Sequence, residues 1–256
     1  MLLALTRAVS PAIAACELTH VERVPIDAGV AAAQHLAYEQ LLERLGCRVE
    51  HVAPAPALPD SVFIEDTAVV LDELAIMARP GAESRLPEVD AVARALRPYR
   101  ELAAIVAPGT LDGGDVLRIG RVLYVGLSGR TNEEGVGQLR QHAGPRGYEV
   151  RAVSPTGCLH LKTAVTALSD TAVLLNPDWI SPDCFAGFEV IAIDPLEPFA
   201  ANVVRVGGSV LSAAAFPRTR RVLETRGIDV HVVDVSELAK AEGAVTCCSI
   251  LLEVAP

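Results

Sequence analysis

The stretch EDTAVVLDELAIMARP, from Glu65 to Pro80, consists of two polar residues, an apolar run, a short turn and a second apolar run. The same order recurs as GDVLRIGRVLYVGL from Gly114, LKTAVTALSDTAVLLNP from Leu161, ANVVRVGGSVLSAA from Ala201 and CCSILLEVAP from Cys247. The second residue of each copy follows the previous one by 40 to 49 residues. A period of this length is typical of a repeat architecture.

Each complete copy predicts a β-hairpin, and the segments between copies predict helices. The turn positions are occupied by Asp72-Glu73, Gly120-Arg121, Ser169-Asp170 and Gly207-Gly208, and glycine is typical of tight hairpin turns. The spacing of apolar residues predicts helices over 29–45, 86–96, 133–142 and 219–225. Gly46 stands where a glycine commonly ends a helix.

The last copy contains a single strand, so we expect the N-terminal segment LLALTRAV to pair with it. This pairing of the first and last strands would close a ring and remove an exposed sheet edge. The alternative is an ordinary mixed α/β sheet whose spacing is accidental.

The bulk properties predict a single domain, residues 1–256, in the cytoplasm. The net charge of −10 argues against nucleic acid or an anionic membrane surface as a partner. The sequence contains neither the roughly 20-residue apolar stretch of a spanning helix nor a basic region that would begin a signal peptide. The six cysteines form no CxxC pair, which favours free thiols in a reducing compartment.

If the repeats surround an axis, their polar starts converge on one central hollow. These starts are Glu65-Asp66, Asp112 to Asp115, His160 to Lys162, Asn202 and Cys247-Cys248. Acids, a histidine and a thiol would then share the hollow, which indicates a catalytic site.

A thiol beside His160 can act as a nucleophile, since a histidine can stabilise the thiolate and transfer protons. Cys247 and Cys248 open the last predicted strand, where adjacent side chains point to opposite faces. The period does not decide which of the two faces the hollow, while Gly243 is expected to leave the approach unobstructed. A zinc site on Cys158, His160 and Cys247 lacks a fourth ligand, so we expect no metal and no cofactor.

The acids indicate a cationic substrate. Glu65 and Asp66 directly follow the apolar segment SVFI, and two carboxylates are costly to bury unless a cation or hydrogen-bond donors neutralise them. A guanidinium matches carboxylate oxygens with its planar N–H groups. Asp112 can orient His160 or hold the cation, while Asp115 can equally belong to a turn.

Two arginines can hold a substrate carboxylate. Arg85 and Arg130 each follow the second strand of a predicted hairpin. Exposed surface arginines are the alternative.

Seven motifs in order resemble the dimethylarginine dimethylaminohydrolase family, within the guanidino-group-modifying enzymes, over nearly the whole chain. They are PDSVFIED, RPGAESR, GTLDGGDV, GLSGRTN, LHLKT, FAANVV and VTCCS. The resemblance implies an α/β fold, a five-bladed propeller with pseudo-fivefold symmetry. It implies Cys247 as the nucleophile, His160 as the general acid and base, and Asp112 as the third catalytic residue. The implied substrate contacts are Leu18 in a lid loop, Asp60, Glu65, Asp66, Arg85, Arg130 and Ala241.

We therefore expect hydrolysis of Nω-methylated arginine to L-citrulline and methylamine or dimethylamine, through an S-alkylthiouronium on Cys247. The expected partner is this small arginine derivative, and a homodimer is left open. An arginine deiminase-like enzyme that releases ammonia from free arginine is the nearest alternative. An amidinotransferase and a protein that only binds arginine derivatives are the others.

Overall fold

Each complete repeat forms an antiparallel hairpin whose second strand pairs in parallel with a third strand. These pairings are those of a computed structural model, which describes residues 1–255. The strands are β1 (Leu2–Thr6), β2 (Arg48–His51), β3 (Ala68–Val70), β4 (Leu74–Met77), β5 (Glu101–Ala104), β6 (Val116–Ile119), β7 (Val122–Gly126), β8 (Glu149–Val153), β9 (Val165–Ala167), β10 (Ala172–Leu175), β11 (Glu189–Ala192), β12 (Val203–Val206), β13 (Ser209–Ala213), β14 (Asp229–Val233) and β15 (Ile250–Glu253). The four predicted hairpins are confirmed.

The fold is α/β, with five mixed sheets of three strands each. Four sheets follow chain order: β3-β4-β5, β6-β7-β8, β9-β10-β11 and β12-β13-β14. The fifth combines both ends of the described chain, because β1 pairs antiparallel with β15 and parallel with β2. Leu3 lies opposite Leu252 in this register. The predicted pairing of the N-terminal segment with the last strand is therefore confirmed.

Residues 1–255 contain six α-helices, of which four lie close to the predicted ranges and two, of four residues each, were not predicted. They are α1 (Ala28–Arg44), α2 (Val89–Leu96), α3 (Glu133–Ala143), α4 (Leu161–Ala164), α5 (Pro217–Glu224) and α6 (Ser236–Ala239). The Asp27 carboxylate caps α1 by accepting the N–H groups of Gly29 and Val30. Gly46 follows the helix with a φ of 93°, a left-handed conformation that favours glycine. None of the helices within residues 1–255 is long and apolar enough to cross a membrane.

Five apolar clusters hold the sheets together, and each cluster joins two neighbouring sheets. Leu3 and Leu252 of the fifth sheet, for example, share one cluster with Ala75 and Met77 of the first sheet. Ala4 of the fifth sheet shares another cluster with strands β12 and β13 of the fourth. Each of the five cores therefore joins residues of two different sheets.

The repeat starts lie in turns and not on strands. For the cysteine pair, this differs from the prediction that it opens the last strand. Glu65 and Asp66 lie in a 3-10 turn, Ile64–Thr67, and Asp112 precedes another, Gly113–Asp115. Cys247 and Cys248 lie in a turn, and β15 begins only at Ile250. The prediction that the cysteines open the last strand is wrong, because the Cys247 N–H and the Cys248 thiol both donate to the Ala244 carbonyl.

Gly113→Ala is expected to destabilise the protein, because an added Cβ would lie 2.0 Å from the carbonyl oxygen of Glu65. The backbone would have to shift, at a cost of about 1–3 kcal/mol. Gly137→Ala in α3 is the matched control: its Cβ meets open space, and alanine is favoured over glycine in a helix by about 1 kcal/mol. Urea unfolding followed by circular dichroism measures both, and equal stabilities of the two variants would contradict this packing.

Candidate active site

The short turns before the hairpins bring acids and a histidine together. Ligand atoms of Asp66, Asp112 and His160 all lie within 4.8 Å of one another, although they come from three different repeats. The Cys247 carbonyl accepts the Glu65 N–H at 3.2 Å. The predicted convergence of these repeat starts is confirmed.

A glycine makes this close approach possible. A Cβ on Gly114 would lie 2.6 Å from His160 Nδ1 and 2.7 Å from Asp66 Oδ1. The Gly114 N–H instead donates to Asp66 Oδ1 at 3.0 Å. Glycine at this position therefore lets the backbone approach both side chains closely.

His160 is buried among carboxylates. Its Nε2 lies 3.0 Å from Asp112 Oδ2, and its Nδ1 lies 3.7 Å from Asp66 Oδ1. Burial lowers the pKa of His160, but the charge of Asp66, the hydrogen bond with Asp112 and the charge of Asp115 outweigh it and raise this pKa to about 9. The ring is therefore a cation at neutral pH and can donate a proton.

The two adjacent cysteines have different surroundings. Cys248 is fully buried in the apolar cluster beside α1, whereas Cys247 is partly exposed and lines a cavity together with His160. Burial and the charges of Asp66 and Glu65 raise the pKa of Cys247 to about 12. Cys247 is therefore a protonated thiol at neutral pH while this site is empty.

Asp66 is balanced by cations of the protein. Its Oδ2 accepts from Arg85 Nη1 at 2.6 Å. Burial raises the pKa of Asp66, but His160 and Arg85 outweigh burial and lower it to about 2. Asp66 is therefore a permanent carboxylate.

Glu65 is only half satisfied. Its Oε1 accepts from Lys162 Nζ at 2.5 Å, while its Oε2 is buried and has no partner within the described chain. A buried carboxylate oxygen without a donor costs free energy, so it favours an incoming N–H group. Sequence reasoning gave Lys162 no role, although it lies in the LHLKT motif two residues after His160.

Arg85 is buried, so its interpretation as an exposed surface arginine is wrong. Besides Asp66, its guanidinium donates to the carboxylate of Glu88 at 2.9 Å and to the Phe63 carbonyl at 2.9 Å. Glu88 was not recognised in the sequence, because a glutamate in a charged helical segment reads as a surface residue. Arg130 is only partly buried, and its Nη2 donates to Thr19 Oγ1 at 3.2 Å.

A cavity of about 20 Å³, the catalytic cavity, lies between these groups. Its lining contains most of the predicted site residues, namely Asp60, Asp66, Arg85, Arg130, His160, Ala241 and Cys247. Leu18 instead packs against the apolar cluster beside α1. Gly243 does not serve the approach to Cys247 as expected: a Cβ there would lie 2.2 Å from the ring of Phe63. The catalytic cavity, with its volume of about 20 Å³, has room for one water molecule but not for an amino acid.

The segment Glu17–His20, here called the covering segment, is held over the catalytic cavity by polar contacts. Asp60 accepts the Glu17 N–H at 3.2 Å, and Ser84 Oγ donates to the Glu17 carboxylate at 2.6 Å. The Glu242 carboxylate accepts the N–H groups of Thr19 and His20 at 2.5 and 2.7 Å. Asp60 and Glu242, which both line the catalytic cavity, therefore fix this segment at its edge.

The comparisons with known proteins agree with this geometry. Although no protein-family model matches the chain, an N(G),N(G)-dimethylarginine dimethylaminohydrolase from Streptomyces coelicolor is 44% identical over 252 residues, covering 97% of this chain and 96% of that protein. The chain belongs to the dimethylarginine dimethylaminohydrolase family. The similarity extends over nearly the full length of both proteins.

Two solved dimethylarginine dimethylaminohydrolase structures resemble this chain. A cysteine-to-serine variant of the Pseudomonas aeruginosa protein, complexed with citrulline, is 33% identical, with a TM-score of 0.93 and coverage of 97% of this chain and 98% of that one. A histidine-to-glycine variant, an adduct with S-methyl-L-thiocitrulline, is 32% identical, with a TM-score of 0.92 and coverage of 98% and 100%. The dimethylarginine dimethylaminohydrolase fold therefore extends over the whole of the described chain.

His160 is expected to titrate near pH 9, and Asp112→Asn should lower its pKa by removing a negative charge and its hydrogen-bond acceptor. The pKa of His160 is raised above the ordinary value of 6.5, so its protonation stabilises the folded protein. This contribution to the free energy of unfolding is complete below pH 6.5 and is lost as pH rises through about 9. NMR of the imidazole, assigned with His160→Gln, measures the titration. A His160 pKa that stays unchanged in Asp112→Asn would contradict the assignment.

Proposed function

We propose that this protein hydrolyses Nω-methylated L-arginine to L-citrulline and methylamine or dimethylamine. The observation that carries the proposal is that the Cys247 thiol, the His160 imidazolium and the Asp66 carboxylate line one cavity. The half-satisfied carboxylate of Glu65 lies outside that lining, although the Glu65 N–H donates to the Cys247 carbonyl. Membership of the dimethylarginine dimethylaminohydrolase family supports the same reaction, and the solved relative with citrulline bound supports the same product.

The substrate guanidinium binds to Asp66 and Glu65 in this proposal. The free Oε2 of Glu65 accepts one guanidinium N–H, and Asp66 provides a fixed negative charge. Arg130 and Asp60, which both contact the covering segment, suit the carboxylate and ammonium groups of the amino acid. Arg85 uses its donors within the protein, so we assign it to holding Asp66 rather than the substrate carboxylate.

The cationic substrate activates the nucleophile. Asp66 and Glu65 oppose ionisation of the Cys247 thiol, and a bound guanidinium offsets their charge and so lowers the pKa of Cys247. Ala241, which also lines the cavity, packs beside the substrate. Reactivity of the thiol therefore depends on the presence of the substrate cation.

The reaction then takes two steps. The Cys247 thiol loses its proton to water when the guanidinium binds, and the thiolate bonds to the guanidinium carbon. His160 donates its proton to the departing amine, and an S-alkylthiouronium remains. Neutral His160, oriented by Asp112, takes a proton from water, which attacks the same carbon. The C–S bond breaks as the hydroxyl proton passes to water, which forms citrulline and regenerates the Cys247 thiolate.

We also propose that the five sheets are the blades of a five-bladed α/β propeller with pseudo-fivefold symmetry, forming one domain. The five apolar clusters support this, because they link each sheet to the next, and the fifth sheet to both the fourth and the first. The free thiols support a cytoplasmic location.

Asymmetric dimethylarginine is expected to give citrulline and dimethylamine with a higher kcat/KM than free arginine gives citrulline and ammonia. Amine-specific product assays measure both reactions. Cys247→Ser is expected to lose at least about 1,000-fold in kcat while still binding citrulline. Faster release of ammonia from arginine would favour the deiminase alternative, and undiminished turnover by Cys247→Ser would contradict the nucleophile assignment.

A further inference from the structure

A second and much larger cavity lies next to the catalytic cavity. Its volume is about 350 Å³, and we call it the apolar chamber. Apolar side chains form most of its lining, among them Cys158, Phe199, Phe216, Val235 and Val245. Leu159 and Glu242 line both cavities. The two spaces therefore adjoin at these two residues.

Two polar side chains that line the apolar chamber, those of Asn202 and Glu242, are already paired within the protein. Asn202 donates to the Lys162 carbonyl and to Thr246 Oγ1, and its own oxygen accepts the Thr246 N–H. Both carboxylate oxygens of Glu242 accept backbone N–H groups of the covering segment. Of residues 1–255, the two with an unpartnered buried side-chain polar atom are His35 and Glu65, and neither lines the chamber. An occupant would therefore gain by burying apolar surface rather than by hydrogen bonding.

The proposed reaction fixes the direction in which a substrate substituent points. The departing nitrogen must lie beside the His160 ring, since His160 protonates it. The two residues that precede His160 in the chain, Cys158 and Leu159, line the apolar chamber. Leu159 also lines the catalytic cavity together with His160, so a group on a nitrogen beside His160 lies near a residue that the two cavities share.

We propose that the apolar chamber is a subsite for the substituent on the departing nitrogen, and that this protein hydrolyses arginines whose Nω-substituent is an alkyl or aryl group larger than methyl. The inference rests on the proposed function and names its substrate class. A methyl group occupies roughly the 30 Å³ of one water molecule, so the chamber exceeds the needs of two methyl groups several-fold.

The chemistry is unchanged for these substrates. Cys247 Sγ bonds to the guanidinium carbon as the bond from that carbon to the substituted nitrogen breaks. His160 transfers its proton to that nitrogen, which leaves as a primary alkylamine or arylalkylamine. Water then releases citrulline from Cys247, and neither oxidation nor reduction occurs.

The test compares Nω-methyl-, Nω-butyl- and Nω-benzyl-L-arginine by citrulline release and amine identification. We expect the kcat/KM of the butyl and benzyl substrates to equal or exceed that of the methyl substrate. Turnover of the methyl substrate alone would overturn the chamber proposal and leave the proposed function intact. Failure of all three substrates would overturn the proposed function itself.

Variants at the chamber rim locate the substituent. Ala239 and Ala215 are exposed residues that line the chamber outside the catalytic cavity, and phenylalanine at either position would fill part of it. Ala239→Phe and Ala215→Phe are each expected to lower kcat/KM for the butyl substrate at least tenfold and to change it less than twofold for the methyl substrate. Ala186→Phe, at an exposed position outside the chamber lining, is the control and should change neither.

Equal losses for methyl and butyl substrates in a folded rim variant would overturn the proposal, as would unchanged butyl turnover in both rim variants. Thermal unfolding of each variant verifies the fold. Two independent rim positions keep the test decisive if one of them does not tolerate phenylalanine.

Discussion

The site depends on one constraint: each buried carboxylate must lie close to one of the few buried cations of the protein. Asp66, Asp112 and Asp115 are buried near His160, and Arg85 is buried between Asp66 and Glu88. Removing one partner of such a group leaves an uncompensated charge, which is strongly destabilising. The turns before three hairpins are therefore fixed relative to one another by charge as well as by apolar packing.

This charge balance also affects the protonation of the thiol, because burial and the charges of Asp66 and Glu65 raise the pKa of Cys247. The negative groups that raise the pKa of Cys247 are those that suit a guanidinium, so the thiol loses its proton most readily when the substrate cation is present. Asp66, one of these groups, also raises the pKa of His160 together with Asp112 and Asp115, so His160 stays protonated and can serve as an acid. Cys247 therefore favours the thiol in the substrate-free protein and ionises more readily when the substrate cation is bound. Because the thiolate is the reactive form, this limits reaction of Cys247 with other electrophiles.

Local patterns predicted the parts of the fold that depend on nearby residues. Hairpins such as β6-β7 follow from alternating apolar runs and a glycine turn, and α1 follows from its cap at Asp27 and its stop at Gly46. The turn at Cys247 was not predicted, since it depends on hydrogen bonds to Ala244 rather than on strand alternation. The roles of Lys162 and Glu88 were also missed, because each depends on a charged partner placed by the tertiary fold.

The central claim is that Cys247, and not its buried neighbour Cys248, attacks the guanidinium carbon. Rapid acid quenching during turnover of asymmetric dimethylarginine, followed by peptide mass spectrometry, tests it most directly. The account predicts a covalent substrate-derived adduct on Cys247, and no such adduct at position 247 in Cys247→Ser. An adduct on Cys248, or turnover without any cysteine adduct under conditions that trap the intermediate, would contradict it.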